Sequence, residues 1–157
     1  MELNQITELN RGEATAFLVG QWGSDVMVSG GRAISLTEPD GFLAVENGKI
    51  TGAVTYLAEN GACEVVSLDS VNENRGTGTA LLSAAVQAAK EKGCRAVYLY
   101  TTNDNTRTMR FYQKRGFDMT GFYRGAVDRA RKIKPEIPPT GDDGIPIRHE
   151  IRFELLF

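Results

Sequence analysis

Two Asn-Gly pairs, Asn47-Gly48 and Asn60-Gly61, do most to limit what this chain can become. Both residues of such a pair tolerate positive φ, which a tight turn between right-twisted strands requires. Each pair stands between apolar runs. Phe42-Leu43-Ala44-Val45-Glu46 precedes the first, Ile50 to Leu57 lies between them, and Ala62 to Val71 follows the second. The expectation is a three-stranded antiparallel meander with strands at 42–46, 50–57 and 62–71.

After Val71 the pattern changes period. Leu81, Leu82, Ala85, Val86 and Ala89 share one face of a helix running from Gly78 to Lys92, with Gly93 closing it. Arg95 to Thr101 reads as a strand, Asn105 to Arg115 as a helix stopped by Gly116, and 117–123 as another strand. Strand–helix–strand is a crossover unit with a parallel pair. Ahead of the meander, Ala14, Phe17, Leu18 and Trp22 predict a helix over 11–22 that Gly23 ends, with Trp22 in the core. Residues 24–40 read as a Gly- and Ser-rich loop with room for a short helix. Behind the crossover, Gly125 to Ile133 looks helical. Residues 134–146 hold four of the five prolines and read as a long ordered loop or lid, and 147–157 alternates as a final strand.

A length of 157 residues predicts one domain, large enough for a core without disulfides or metal. The net charge of −2 argues against a nucleic-acid partner. No apolar run approaches a membrane span, and Met1-Glu2-Leu3-Asn4-Gln5 has no leader character, so a soluble, cytoplasmic protein without a membrane partner is expected. One histidine, His149, and two separated cysteines, Cys63 and Cys94, predict no metal site. The cysteines read as structural thiols and His149 as a structural residue.

The segment most suggestive of chemistry is Asn72-Glu73-Asn74-Arg75-Gly76-Thr77-Gly78-Thr79-Ala80, between a strand and a helix. Small residues let backbone N–H groups approach a ligand, and the helix start adds partial positive charge, which together suit an anion such as a pyrophosphate. The lysine of a nucleotide P-loop is missing, and Leu81 stands where a dinucleotide fingerprint needs glycine. Downstream stands Asn105-Thr106-Arg107-Thr108-Met109-Arg110-Phe111-Tyr112-Gln113-Lys114-Arg115-Gly116-Phe117. The two segments together resemble the signatures of the GCN5-related N-acetyltransferase (GNAT) superfamily, through Arg75, Gly78 and Ala80 in the first and Asn105, Phe111, Tyr112, Gly116 and Phe117 in the second. Thr108 replaces the usual alanine. The resemblance covers about residues 40–123 and leaves 1–40 and 124–157 without a family signature.

That resemblance implies an α+β fold, a mixed and mostly antiparallel sheet flanked by helices. It implies an acetyl-CoA-dependent N-acetyltransferase in which a primary amine of a small-molecule or peptide acceptor attacks the thioester within a ternary complex. Backbone groups of Arg75, Gly76, Thr77, Gly78, Thr79 and Ala80 would hold the pyrophosphate. Leu68 and Ser70 would pair with the pantetheine arm, and Asn105 would contact the pantetheine or its phosphate linkage. Tyr112 would protonate the departing thiolate and also touch the cofactor. Glu64 is the candidate general base, with Asp69 second. Five residues separate them, so they face opposite sides of a regular strand unless a β-bulge intervenes. Arg107, Arg110 and Lys114 are further candidates for the 3′-phosphate. Five cations between Arg124 and Lys134 stand against the single Asp128. They read as a solvated face or as a basic wall for an acidic acceptor or for CoA phosphates, and the proline-rich segment reads as a roof over the acceptor. Leu155-Leu156-Phe157 offers a seam for a homodimer. The competing reading is an acyl-CoA-binding module without catalysis.

Overall fold

A computed structural model describes residues 1–72 and 75–157. Two compact units divide them: residues 1–27, 35–97 and 157 form the first, and residues 28–34 and 98–156 the second.

The first unit is built on the meander. Strand β1 (Glu2–Gln5) leads into helix α1 (Arg11–Trp22), which Gly23 closes in a left-handed cap at φ 75°. Strands β4 (Asp40–Glu46), β5 (Lys49–Glu59) and β6 (Ala62–Ser70) follow the two-stranded ribbon β2 (Val26–Ser29) and β3 (Arg32–Ser35). They order β1-β4-β5-β6 with antiparallel registers throughout. Both Asn-Gly turns form as expected. Asn47 and Asn60 adopt φ of 50° and 53°, and Gly48 and Gly61 follow at 75° and 78°. The two-residue turn requires positive φ, and asparagine tolerates it because its short polar side chain can hydrogen-bond locally.

The sheet of this unit is covered differently on its two faces. Ala14 and Leu18 of α1 are buried in one cluster with Ile6, Leu36, Leu43 and Ala53. Helix α2 (Thr77–Glu91) buries Leu81, Leu82, Ala85 and Ala89. Gly52 meets this helix closely: a Cβ there would lie 2.9 Å from Leu81 Cδ1. Thus Ala53 marks the α1 face of β5 and Gly52 marks the α2 face.

Strand β7 (Ala96–Thr102) starts in the first unit and continues into the second. There the strands order β7-β9-β8, from β8 (Asp118–Tyr123) and β9 (Glu150–Leu156), which pair antiparallel. Helix α3 (Thr106–Lys114) and the short α4 (Ala126–Ala130) complete the unit. Its core includes Tyr112, Phe117, Val127 and Phe153. The expected fold class, a mostly antiparallel sheet flanked by helices, is what forms.

Three local expectations need correction. Residues 24–40 are not a plain loop: Gly30 and Gly31, at φ 58° and 81°, turn β2 into β3. Strand β1 was not expected; it forms because Glu2 to Gln5 find partners on Val45 to Phe42 of β4. Trp22 is not a core residue but is 37 % exposed, at the last turn of α1.

Candidate functional site

Strand β6 carries both carboxylates in question, and its register decides where they point. Thr55 of β5 pairs with Ser67, yet the next residue, Tyr56, pairs with Val65. Val66 is therefore the extra residue of a β-bulge, and it inverts the alternation of the strand. Glu64 lies opposite Leu57, Ser67 opposite Thr55, and Asp69 opposite Ala53. Leu57, Thr55 and Ala53 share one face of β5, so Glu64, Ser67 and Asp69 form a polar file on that face, the one covered by α1. Without the bulge the two acids would face opposite sides.

The members of this file have different surroundings. Glu64 is 2 % exposed. The hydroxyls of Thr55 and Ser67 hydrogen-bond each other at 2.5 Å, buried in mid-sheet. Asp69, at the end of the strand, is half-buried and accepts a 2.8 Å hydrogen bond from the indole Nε1 of Trp22. Burial pushes the Asp69 carboxyl up to about 6, with the Trp22 bond pulling the other way. An acid in that range changes charge close to neutrality, which suits a group that must accept a proton. The role of Trp22 was invisible in the sequence, since 47 positions separate it from its partner.

On the other face lie Leu68 and Ser70, opposite Val54 and Gly52 of β5. The Ser70 hydroxyl donates to the carbonyl of Asn72 at 2.8 Å and shapes the exit of the strand. Glu73 and Asn74 of the glycine-rich segment lie outside the described residues. Arg75 is exposed, and Gly76 is the N-cap of α2 in the left-handed conformation, φ 78°. Among the described residues no side chain caps this helix end, and no acidic residue occupies its first turn. A Cβ built on Gly76 would meet nothing within 4 Å. Ala80 N already donates to the Gly76 carbonyl at 3.0 Å, so the first turn offers a ligand the backbone ahead of Ala80 together with the positive end of the helix dipole, a start that fits a phosphate-bearing group.

Asn105 and Tyr112 belong to the second unit. Asn105 is the N-cap of α3, and its Oδ1 accepts a 3.4 Å bond from Thr108 N. Its side chain closes a helix, so the contact expected with a cofactor has a structural competitor. Tyr112 is 4 % exposed. Its ring lies 5.2 Å from Phe111, 5.4 Å from Phe117 and 6.1 Å from Phe153, in edge-on and tilted contacts that fix its orientation. Arg107, Arg110 and Lys114 are exposed on α3.

The basic segment divides on inspection. Arg131 donates to the carbonyls of Ile137, Pro138 and Ile147 at 3.3, 2.6 and 2.7 Å, and pairs with Asp128 at 3.2 Å. It staples the proline-rich loop rather than forming an open basic wall. Arg148 shares Asp128 at 3.2 Å. Asn103 clamps the same loop, donating to the Pro146 carbonyl and accepting from the amides of Arg148 and His149. His149 Nδ1 accepts from Gly125 N at 2.8 Å, as befits a structural residue. Burial pushes the Cys63 thiol up to about 12, leaving it protonated and unreactive near neutrality.

Known proteins place these features in context. A family model described as the acetyltransferase (GNAT) family matches residues 6–117. The chain is 43 % identical over 147 residues to the uncharacterized protein YdhI of Bacillus subtilis, covering 93 % of this chain and 92 % of that one. It is 45 % identical over 138 residues to the uncharacterized protein YxbD of the same organism, covering 87 % of each. A crystal structure of a GNAT family acetyltransferase from Elizabethkingia anophelis with acetyl-CoA bound matches with a TM-score of 0.73 at 20 % identity. That match covers 99 % of this chain and 97 % of the other, and it is a likeness of fold.

Proposed function

This chain belongs to the GNAT acetyltransferase family, and from that premise we propose that it transfers the acetyl group of acetyl-CoA to a primary amine of a small-molecule or peptide acceptor. Acetyl-CoA supplies an activated thioester carbonyl, as the fold relative from Elizabethkingia anophelis holds it. The backbone of Arg75 to Thr79 binds the pyrophosphate at the start of α2, whereas the Ala80 amide expected to join it is held by the Gly76 carbonyl. Backbone groups of Leu68 and Ser70 align the pantetheine arm.

The observation that carries the reading is Asp69: a carboxyl held near 6 by burial, oriented by an indole donor, at the end of the strand that leads to the anion cradle. An amine is protonated near neutrality, with an ordinary pKa of about 10.4 for a lysine-like group, and must shed its proton to attack. Asp69 takes that proton as the C–N bond forms. Glu64, on the same face of β6, is the alternative base. As the C–S bond breaks, the electron pair leaves on sulfur, and Tyr112 delivers the proton that restores the thiol. Asn105 fixes the start of α3 and so the placement of Tyr112.

A thiol-release assay with acetyl-CoA and a broad panel of amines tests the reading. Stoichiometric formation of free CoA and acetylated amine is the expected result. Binding of CoA with no turnover on any amine, unchanged by Tyr112→Phe, overturns it in favour of a non-catalytic acyl-CoA-binding module.

A further inference from the structure

Strand β8 closes the order β7-β9-β8, so among the described residues only its inner side is paired, to β9. Residues 118–123 contain no lysine and no proline, the side chains that commonly guard such an edge. A bulge can also blunt an edge, and β8 has one, but here it has a different effect. Met119 pairs with Phe153 while Gly121 pairs with Arg152, which leaves Thr120 as the extra residue.

The register fixes the face of every residue. Met119 and Phe122 stand opposite Phe153 and Ile151, on one face of β9. Asp118, Gly121 and Tyr123 stand opposite Glu154, Arg152 and Glu150, on the other face. Thr120 joins this second group, because its hydroxyl accepts a 2.9 Å bond from Arg152. Without the bulge Met119 and Phe122 would face apart. With it they share a face, 52 % and 61 % exposed, and Phe122 rests against the ring of His149 at 5.3 Å between centroids.

From Asp118 to Tyr123 the succession of faces reads the same in both directions, about the midpoint between Thr120 and Gly121. A strand with that symmetry can pair antiparallel with its own copy so that every opposed pair shares a face. Met119 then meets the partner's Phe122 at two equivalent places, a thioether against an aromatic ring. Asp118 meets the partner's Tyr123, Thr120 meets the partner's Gly121, and no like charges stand opposed. The charges are complementary as well. Within its own sheet Asp118 faces the like charge of Glu154, which Arg152 holds at 3.2 Å. The partner's Arg124, the residue after Tyr123, comes beside Asp118 at both ends of the seam. We propose that this chain forms a two-fold dimer in which the β8 strands of two copies pair antiparallel about Thr120 and Gly121.

Sedimentation velocity over about 1 to 100 μM tests this, because such a dimer depends on protomer concentration. The wild-type chain should move from the mass of one chain toward that of two, and hydrogen exchange at the amides of 118–123 should slow in step. Phe122→Lys, at an exposed position, should weaken association about tenfold or more and remove the concentration dependence of that exchange. Asp118→Arg sets two cations side by side across the seam and should weaken association likewise, and adding Arg124→Asp should restore it. The mass of one chain at every concentration overturns the proposal. So does a dimer that survives Phe122→Lys with exchange in 118–123 unchanged, and its loss in Leu156→Lys, at a residue 71 % exposed, would move the seam to the chain end. Failure of the charge exchange to restore association also overturns the proposed pairing.

Discussion

The two compact units hold their polar groups in opposite ways. In the first, Glu64, Ser67 and Asp69 line up on one strand face, and the end member reaches the indole of Trp22. In the second, Tyr112 is packed among aromatic rings, against Phe111, Phe117 and Phe153. A file of polar groups makes an acid titratable close to neutrality, because burial and a single donor compete for it. An aromatic seat makes a group rigid. The proposed chemistry draws on both, a proton acceptor from the file and a proton donor from the seat.

The sharpest way to break this comparison is to remove the acceptor. Asp69→Asn should lower kcat by about 10² to 10⁴, the usual range for a positioned base. In the wild type, kcat/KM should fall as pH drops through about 6, where the Asp69 carboxyl takes up its proton. If Glu64→Gln reproduces that loss and Asp69→Asn does not, the base lies at the closed end of the file.

Tyr112→Phe is the matching change in the second unit. It keeps the ring contacts and deletes only the hydroxyl, so kcat should fall about tenfold or more with little change in melting temperature. An equal fall in stability would mean the hydroxyl is structural.

Asp69 also predicts a trade between activity and stability. Its folded pKa, about 6, lies above the ordinary 3.8. A raised acid binds its proton more tightly when folded, so its contribution to stability is fully present below about pH 4, is lost as pH rises from about 4 to about 6, and stays lost above that. At pH 8, Asp69→Asn should therefore be more stable than the wild type by about 1 kcal/mol, after allowing for solvent screening. Denaturant unfolding at pH 8 and pH 4 checks the sign: the advantage should vanish at the lower pH.

Smaller effects separate positioning from chemistry. Trp22→Phe removes the donor that holds Asp69 down, so the acid limb of the pH profile should move upward while the fold persists. A structural role alone would leave that limb in place. Asn105→Ala should cost about 0.5 to 1 kcal/mol of stability, through the lost cap, and change the KM for acetyl-CoA only slightly. A large rise in that KM would return Asn105 to the cofactor.

Much of the fold was legible because its signals are local. Asn47-Gly48 and Asn60-Gly61 specify turns through their own backbone preferences, and Gly93 and Gly116 end helices the same way. The period of Leu81, Leu82, Ala85 and Ala89 reveals α2 without reference to anything it packs on. Strand β1 was not legible, since Glu2 to Gln5 has no strong strand-forming residue and is a strand only beside β4. The β2–β3 ribbon was hidden by the glycines that make its turn. Arg131 reads as positive charge in the sequence because its carbonyl partners on Ile137, Pro138 and Ile147 are set by the tertiary fold.

By itself, then, the sequence determined the meander, the crossover helices, the glycine-rich approach to α2 and the types of residue available for chemistry. These depend on φ preferences, side-chain period and composition within a few residues. Only the tertiary structure decided which side each acid faces. One extra residue, Val66, turns Asp69 onto the face of Glu64, and no local pattern announces where a strand will bulge. It also decided that Trp22 binds Asp69 across 47 positions, and that a second bulge, at Thr120, sets Met119 and Phe122 on one face. The strength of a carboxylate depends on what excludes water and what donates to it, and both come from parts of the chain distant in sequence.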